Sequence, residues 1–126
     1  MTLPKTLLLP LFAAVHLGCN PFASDGPVEV RVRNGSNLAF DEGILYTQRD
    51  SILFTSLGPG QATPFQEVDR AYGIATTQVV TGSDTARLQV IDFVGEAPLK
   101  PGRYTYVLSF FEGNPTALIL DLEKDR

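Results

Sequence analysis

The segment Val28-Glu29-Val30-Arg31-Val32-Arg33 places three valines on one side and three charges on the other in strict alternation. Only an extended strand separates residues i and i+2 from i+1 and i+3 in this way, so one face is packed and the other is wet. The rest of the chain repeats the theme in short pieces. Ile44–Tyr46, Ser51–Leu57, Ala62–Val68, Tyr72–Thr81, Ala86–Phe93, Arg103–Phe111 and Thr116–Leu122 are apolar or β-branched runs. Turn-forming clusters divide them: Asn34-Gly35-Ser36, Gly58-Pro59-Gly60, Gly82-Ser83-Asp84 and Glu112-Gly113-Asn114-Pro115. No window carries a helical stripe, and Glu67–Tyr72 is the one place where a single helical turn is expected. Pro64 confines its segment to an edge or a strand start. Eleven Gly and nine Pro in 126 residues agree with a turn-rich chain.

Seven to eight strands with turn signals every eight to twelve residues predict an all-β fold, an antiparallel β-sandwich of the immunoglobulin-like type. A small barrel is the competing arrangement. The last two hairpins are read across Gly82-Ser83-Asp84 and across Glu112–Pro115. On Arg103–Phe111 the even positions Tyr104, Tyr106, Leu108 and Phe110 are assigned to the core. Arg103, Thr105 and Ser109 then face outward, because the opposite register would bury Arg103 without a partner.

The first 18 residues read differently. Lys5 precedes an apolar stretch, Leu7–Leu17. Eleven residues are too few to span a bilayer, which needs ~20, but they suit an export signal. Leu17-Gly18-Cys19 follows directly and resembles the lipobox of bacterial lipoproteins: a small residue, then the cysteine that becomes the lipidated N-terminus. His16 stands where that pattern usually has Leu. The resemblance implies cleavage before Cys19, lipidation of Cys19 and attachment to a membrane. Asn20 after the cysteine, where Asp would favour the inner membrane, implies the outer membrane. Cys19 is the only cysteine, so an unlipidated product would carry an odd thiol. The expected organisation is a signal peptide over 1–18, a lipidated tether over 19–27 and one sandwich domain over 28–126.

Composition narrows the function. Without the leader the chain has nine Lys and Arg against fourteen Asp and Glu, so nucleic acid is not an expected partner. The only histidine, His16, is in the leader, which removes imidazole from catalysis and from metal binding. No catalytic residue, cofactor or metal site is assigned, and the protein is read as non-enzymatic. Asp41-Glu42 and Asp84 are the weak calcium candidates, and Asp92 and Asp121 the acids with apolar neighbours on both sides. Asp41-Glu42 are read as solvated, and Asp92 and Asp121 as pointing to solvent or pairing locally. Tyr46 and Tyr72, near loops, are the candidate ligand contacts.

Leu99-Lys100-Pro101-Gly102-Arg103-Tyr104 resembles the turn that leads into a late strand of fibronectin type III domains and of transthyretin-like modules. Pro101 presets a turn angle, Gly102 can take φ > 0, Leu99 plugs the core edge, and Tyr104 buries its ring while its hydroxyl caps an upstream backbone group. The longer stretch Asp92–Tyr106, with Val30–Asn34, resembles small lipoproteins of the Bacteroidetes kind. Together these imply a fold and a place in the envelope but carry over no activity. The leading reading is a non-enzymatic envelope lipoprotein whose sandwich binds another envelope protein or component, by strand addition at a sheet edge for example. A carbohydrate- or small-ligand-binding module and a two-carboxylate hydrolase are the alternatives.

Overall fold

The computed structural model describes residues 26–93 and 95–125. The expected signal peptide over 1–18, Cys19 and most of the expected tether over 19–27 therefore lie outside the described residues. Among the described residues eight strands form: β1 (Val28–Asn34), β2 (Phe40–Tyr46), β3 (Ser51–Leu57), β4 (Gln66–Val68), β5 (Thr76–Thr81), β6 (Asp84–Leu88), β7 (Gly102–Phe110) and β8 (Leu118–Lys124). They make two four-stranded sheets, ordered β4-β1-β7-β8 and β3-β2-β5-β6, which pack as a sandwich. No helix among the described residues is long and apolar enough to cross a membrane.

Pairing is antiparallel except between β1 and β7, which run parallel with Val30 opposite Tyr104 and Val32 opposite Tyr106. That parallel pair sets the inner valines of β1 beside the inner tyrosines of β7. Val30, Val32, Phe40, Leu45, Val79, Ala86, Tyr106 and Leu108 are all completely buried. Phe40 meets Phe110 edge-on at 5.7 Å between ring centroids and lies 6.2 Å from Phe54. Edge-to-face contact suits the ring quadrupoles.

Strict alternation fails on the β2–β3 hairpin. Phe40 and Leu45 are both buried although five residues apart, and on β3 Ile52, Phe54 and Leu57 are buried. Ser56 takes φ 49 between Phe54 and Leu57, and that left-handed residue switches which side of the strand faces the core. Gly43 follows from the same geometry. A Cβ built there would overlap the ring of Phe54 and lie 2.9 Å from the Gln78 carbonyl, so only glycine lets that ring cross the neighbouring strand.

The helical turn expected at Glu67–Tyr72 does not form. Gln66–Val68 pairs with β1 instead, and the chain then turns inward. Ala71, Tyr72 and Ala75 are buried, and the Ala71 carbonyl accepts from the Leu99 N–H at 2.8 Å. Small residues let this irregular stretch close one end of the sandwich, a tertiary gain that outweighs one helical turn. Extended segments are also shorter than the apolar runs: β5 begins at Thr76, not Tyr72, and β6 ends at Leu88, not Phe93.

The outer face of β1 and β7 is less wet than the alternation implies. Thr105 points outward yet is completely covered. Arg31 Nε donates to its hydroxyl oxygen at 3.0 Å, and Asp125 lies beyond at 3.3 Å. Glu29 and Arg103 pair at 2.8 Å, Arg33 and Glu123 at 3.1 Å, and the guanidinium groups of Arg31 and Arg103 both sit over Phe65, at 4.5 and 4.9 Å. Long side chains have laid their methylenes over the sheet while keeping their charges at the surface. Exposed ion pairs of this kind add little individually, so their main effect is to shield the strands beneath.

Candidate functional site

The turn before β7 is built from the four residues its sequence singles out. Leu99 is partly buried against the core and Pro101 is exposed. Gly102 takes φ 147, a value that side chains disfavour, and its N–H donates to the Pro27 carbonyl at 3.1 Å. Tyr104 is buried, and its hydroxyl donates to the Lys100 carbonyl at 2.7 Å. Lys124 Nζ lies 5.9 Å from the centre of its ring. The hydroxyl clamps the turn to the strand that follows it, so these residues hold structure and offer a ligand no free polar group of Tyr104.

The two tyrosines expected to contact a ligand part company. Tyr46 is 46% exposed at the end of β2. It borders an open depression of about 540 Å³ with Thr47, Gln48, Arg49, Asp50, Ser51 and Gln66. Tyr72 is not exposed. It is buried and stacks on Phe93 with 4.4 Å between centroids, and its carbonyl receives the Tyr106 hydroxyl at 2.6 Å. Its loop is the inward-turning segment that plugs the sandwich, so closeness to a loop brings no exposure here.

Around Tyr46 the polar groups already serve one another. The Thr47 hydroxyl donates to the Asp50 carbonyl at 3.0 Å, and Arg49 pairs with Asp69 at 3.4 Å. Asp50 Oδ2 accepts from the Asp69 N–H at 2.9 Å, and Gln66 Nε2 donates to the Ser51 carbonyl at 3.0 Å. A second open depression, about 450 Å³, shares Asp50 and runs to Gly26 and Pro27, where the domain begins. Both are shallow and polar. They suit contact with a surface better than enclosure of a small molecule.

Among the described residues no group of three or more His, Cys, Asp or Glu is placed to hold a metal ion. Of the acids considered for calcium, Asp41 is engaged structurally. Its Oδ2 accepts from the Gly82 N–H at 2.7 Å and ties β2 to the β5–β6 turn. Asp84 opens β6 opposite Thr81. Asp92 and Asp121 are exposed and lie on the loop after β6 and on β8.

Two buried polar residues hold the sandwich together, and the sequence pattern assigns only one of them, Tyr106, to the core. Asn34 is completely buried, with every side-chain group used. Its Nδ2 donates to the carbonyls of Leu38 and Leu57 at 2.8 and 2.9 Å, and its Oδ1 accepts from the Ser36 N–H and hydroxyl, both at 2.8 Å. It fastens β1 to the end of β3 and to the entry of β2. A signal exists: Val28, Val30, Val32 and Asn34 share one parity. The other is Tyr106, whose phenol is pushed above the ordinary tyrosine range by burial.

No protein-family model and no curated protein sequence matches the chain.

Proposed function

We propose that this protein is a non-enzymatic lipoprotein of the bacterial cell envelope, anchored through lipid on Cys19, most simply in the outer membrane, and that its sandwich binds another envelope protein or component. The observation that carries the reading is Leu17-Gly18-Cys19 at the end of an apolar stretch, with Cys19 the only cysteine in the chain. Several acyl chains on one cysteine give stable attachment where a single chain gives little. The described domain supports it, since β1 starts at Val28, only nine residues after Cys19. Shallow polar depressions and a buried, structurally employed Tyr104 turn favour surface recognition over catalysis. Metabolic labelling with a fatty-acid probe tests the anchor. The wild type should be labelled and recovered with membranes, and Cys19→Ala should be unlabelled. Equal labelling of the two, or none in either, overturns the lipoprotein reading.

The carbohydrate-binding alternative keeps one observation in its favour, the exposed ring of Tyr46 beside Gln48, Arg49 and Gln66. With Tyr72 buried, that platform is a single ring.

A further inference from the structure

The two sheets end in four edge strands, β4, β8, β3 and β6. Unpaired edges invite pairing with other chains, and folded proteins guard them with short strands, charges or proline. Three edges here are guarded. β4 has three residues, β6 carries Asp84 and Arg87, and β8 carries Asp121, Glu123 and Lys124. β3, Ser51-Ile52-Leu53-Phe54-Thr55-Ser56-Leu57, has seven residues, no charge and no proline. Its Leu53 is 72% exposed.

The backbone of β3 shows which groups the edge offers. Its hairpin with β2 is closed by the Thr47 N–H bonding the Asp50 carbonyl at 2.8 Å. The Ser51 carbonyl is taken instead by Gln66 of β4. Bonding alternates along an antiparallel pair, so Leu53 and Thr55, in phase with Ser51, turn their N–H and C=O groups away from β2. The carbonyls at the two ends of β3 are occupied, Ser51 by Gln66 and Leu57 by Asn34. Between them Leu53 and Thr55 have no strand on their outer side among the described residues.

We infer that β3 is a homodimerisation edge, pairing antiparallel with β3 of a second copy and joining two four-stranded sheets into one of eight. Setting Leu53 opposite Thr55 of the second copy makes four backbone hydrogen bonds about a two-fold axis and leaves the Gln66 and Asn34 bonds intact. Leu53 then lies diagonally across from its symmetry mate, within reach of a long side chain. Ile44, its neighbour on β2, extends the strip on each side. The occupant follows from charge and closure. An edge with no charge fits a partner strand with none, and an identical strand supplies both that neutrality and the matching outward leucine. A two-fold contact also consumes both β3 edges, so assembly stops at two. The chain's own Asn20–Asp25 is a poorer filler, since Pro21 lacks an N–H.

The pairing does not depend on the lipid anchor. Antiparallel pairing places the two β1 starts at opposite ends of the dimer, so two copies anchored in one bilayer would lie with their sheets along it.

Sedimentation equilibrium of the full chain tests the inference, in density-matched detergent with reductant present so that Cys19 cannot bridge. A concentration series of roughly 5–200 μM spans the affinities expected for a small interface. The wild type should shift from monomer toward dimer and no further. Leu53→Lys, a change at an exposed side chain, should stay monomeric throughout with an unchanged thermal midpoint. Ile91→Lys, at an exposed side chain on the loop after β6 and so beyond the far edge of the same sheet, should dimerise like the wild type. A monomeric wild type, assembly beyond two, a Leu53→Lys that still dimerises, or loss of the dimer in Ile91→Lys would each overturn it.

Discussion

Replacing Asn34 should damage this domain more than replacing almost any other polar residue, and in a pH-dependent way that reports the cause. Asn34→Ala removes four hydrogen bonds at 2.8–2.9 Å. They are not equivalent. The Leu38 carbonyl keeps a bond from the Ser36 hydroxyl at 3.0 Å, and Ser36 is only partly buried, so water can reach its N–H. The bond to the Leu57 carbonyl is buried, and that carbonyl is left unpaired. An orphaned buried acceptor costs about 1–3 kcal/mol and each of the three remaining bonds about 1, so the total should be about 4–6 kcal/mol. Asn34→Asp has nearly the same shape but replaces two donors with a carboxylate facing two carbonyl oxygens. Burial and those oxygens raise its folded pKa above the unfolded value of about 3.9. The folded state then binds more protons than the unfolded one, so stability is retained below about pH 4 and lost as pH rises toward the folded pKa. Urea melts at pH 4 and pH 7 should show Asn34→Asp losing on the order of 1.5 kcal/mol or more between them, relative to wild type. An Asn34→Ala cost under about 1 kcal/mol, or an Asn34→Asp deficit that ignores pH, would refute the clip.

Gly43→Ala should cost about 1–3 kcal/mol because the new methyl meets the Phe54 ring and the Gln78 carbonyl. In thermal melts the loss should shrink when Phe54→Leu is added, and independent, additive losses would show that the ring is not the obstacle. Tyr106 should make the domain sensitive to alkali. Its folded pKa is raised, so its contribution is complete below the unfolded value of about 10 and is lost above it, by up to about 1.4 kcal/mol per pH unit. Tyr106→Phe should be less stable at neutral pH, having orphaned the Tyr72 carbonyl, yet show a shallower decline between pH 10 and 11 in urea melts; an unchanged slope would contradict the assignment.

Much of the architecture is legible from local pattern. Period-two alternation identifies β1 and β7 with their inward faces, because a side chain's face on a regular strand depends only on whether its position is odd or even. Gly82-Ser83 announces the β5–β6 hairpin, since a two-residue loop needs a residue that accepts positive φ, and Gly82 has φ 63. The turn at Leu99–Tyr104 is readable for a similar reason: proline and glycine restrict or extend the backbone wherever they occur.

Other features are decided by residues far apart in the chain. Neighbours in sequence put Tyr72 at the surface, but Tyr106, 34 residues away, draws its carbonyl inward. Strand parity puts Thr105 on the wet face, but Arg31, 74 residues away, covers it. The switch of inward face on β2 and β3 needs Ser56 in a left-handed conformation that serine rarely adopts unaided, so only the packing of Phe40, Phe54 and Leu57 against the opposite sheet selects it. The parallel pairing of β1 with β7 joins segments 74 residues apart in register, with no turn chemistry between them to announce it. Alternation, turns and the Leu17-Gly18-Cys19 run belong to the sequence because their physics acts over a few bonds. Sheet order, the Asn34 clip, the covered outer face and the unguarded edge at β3 belong to the tertiary structure, because each depends on which strands come to lie side by side.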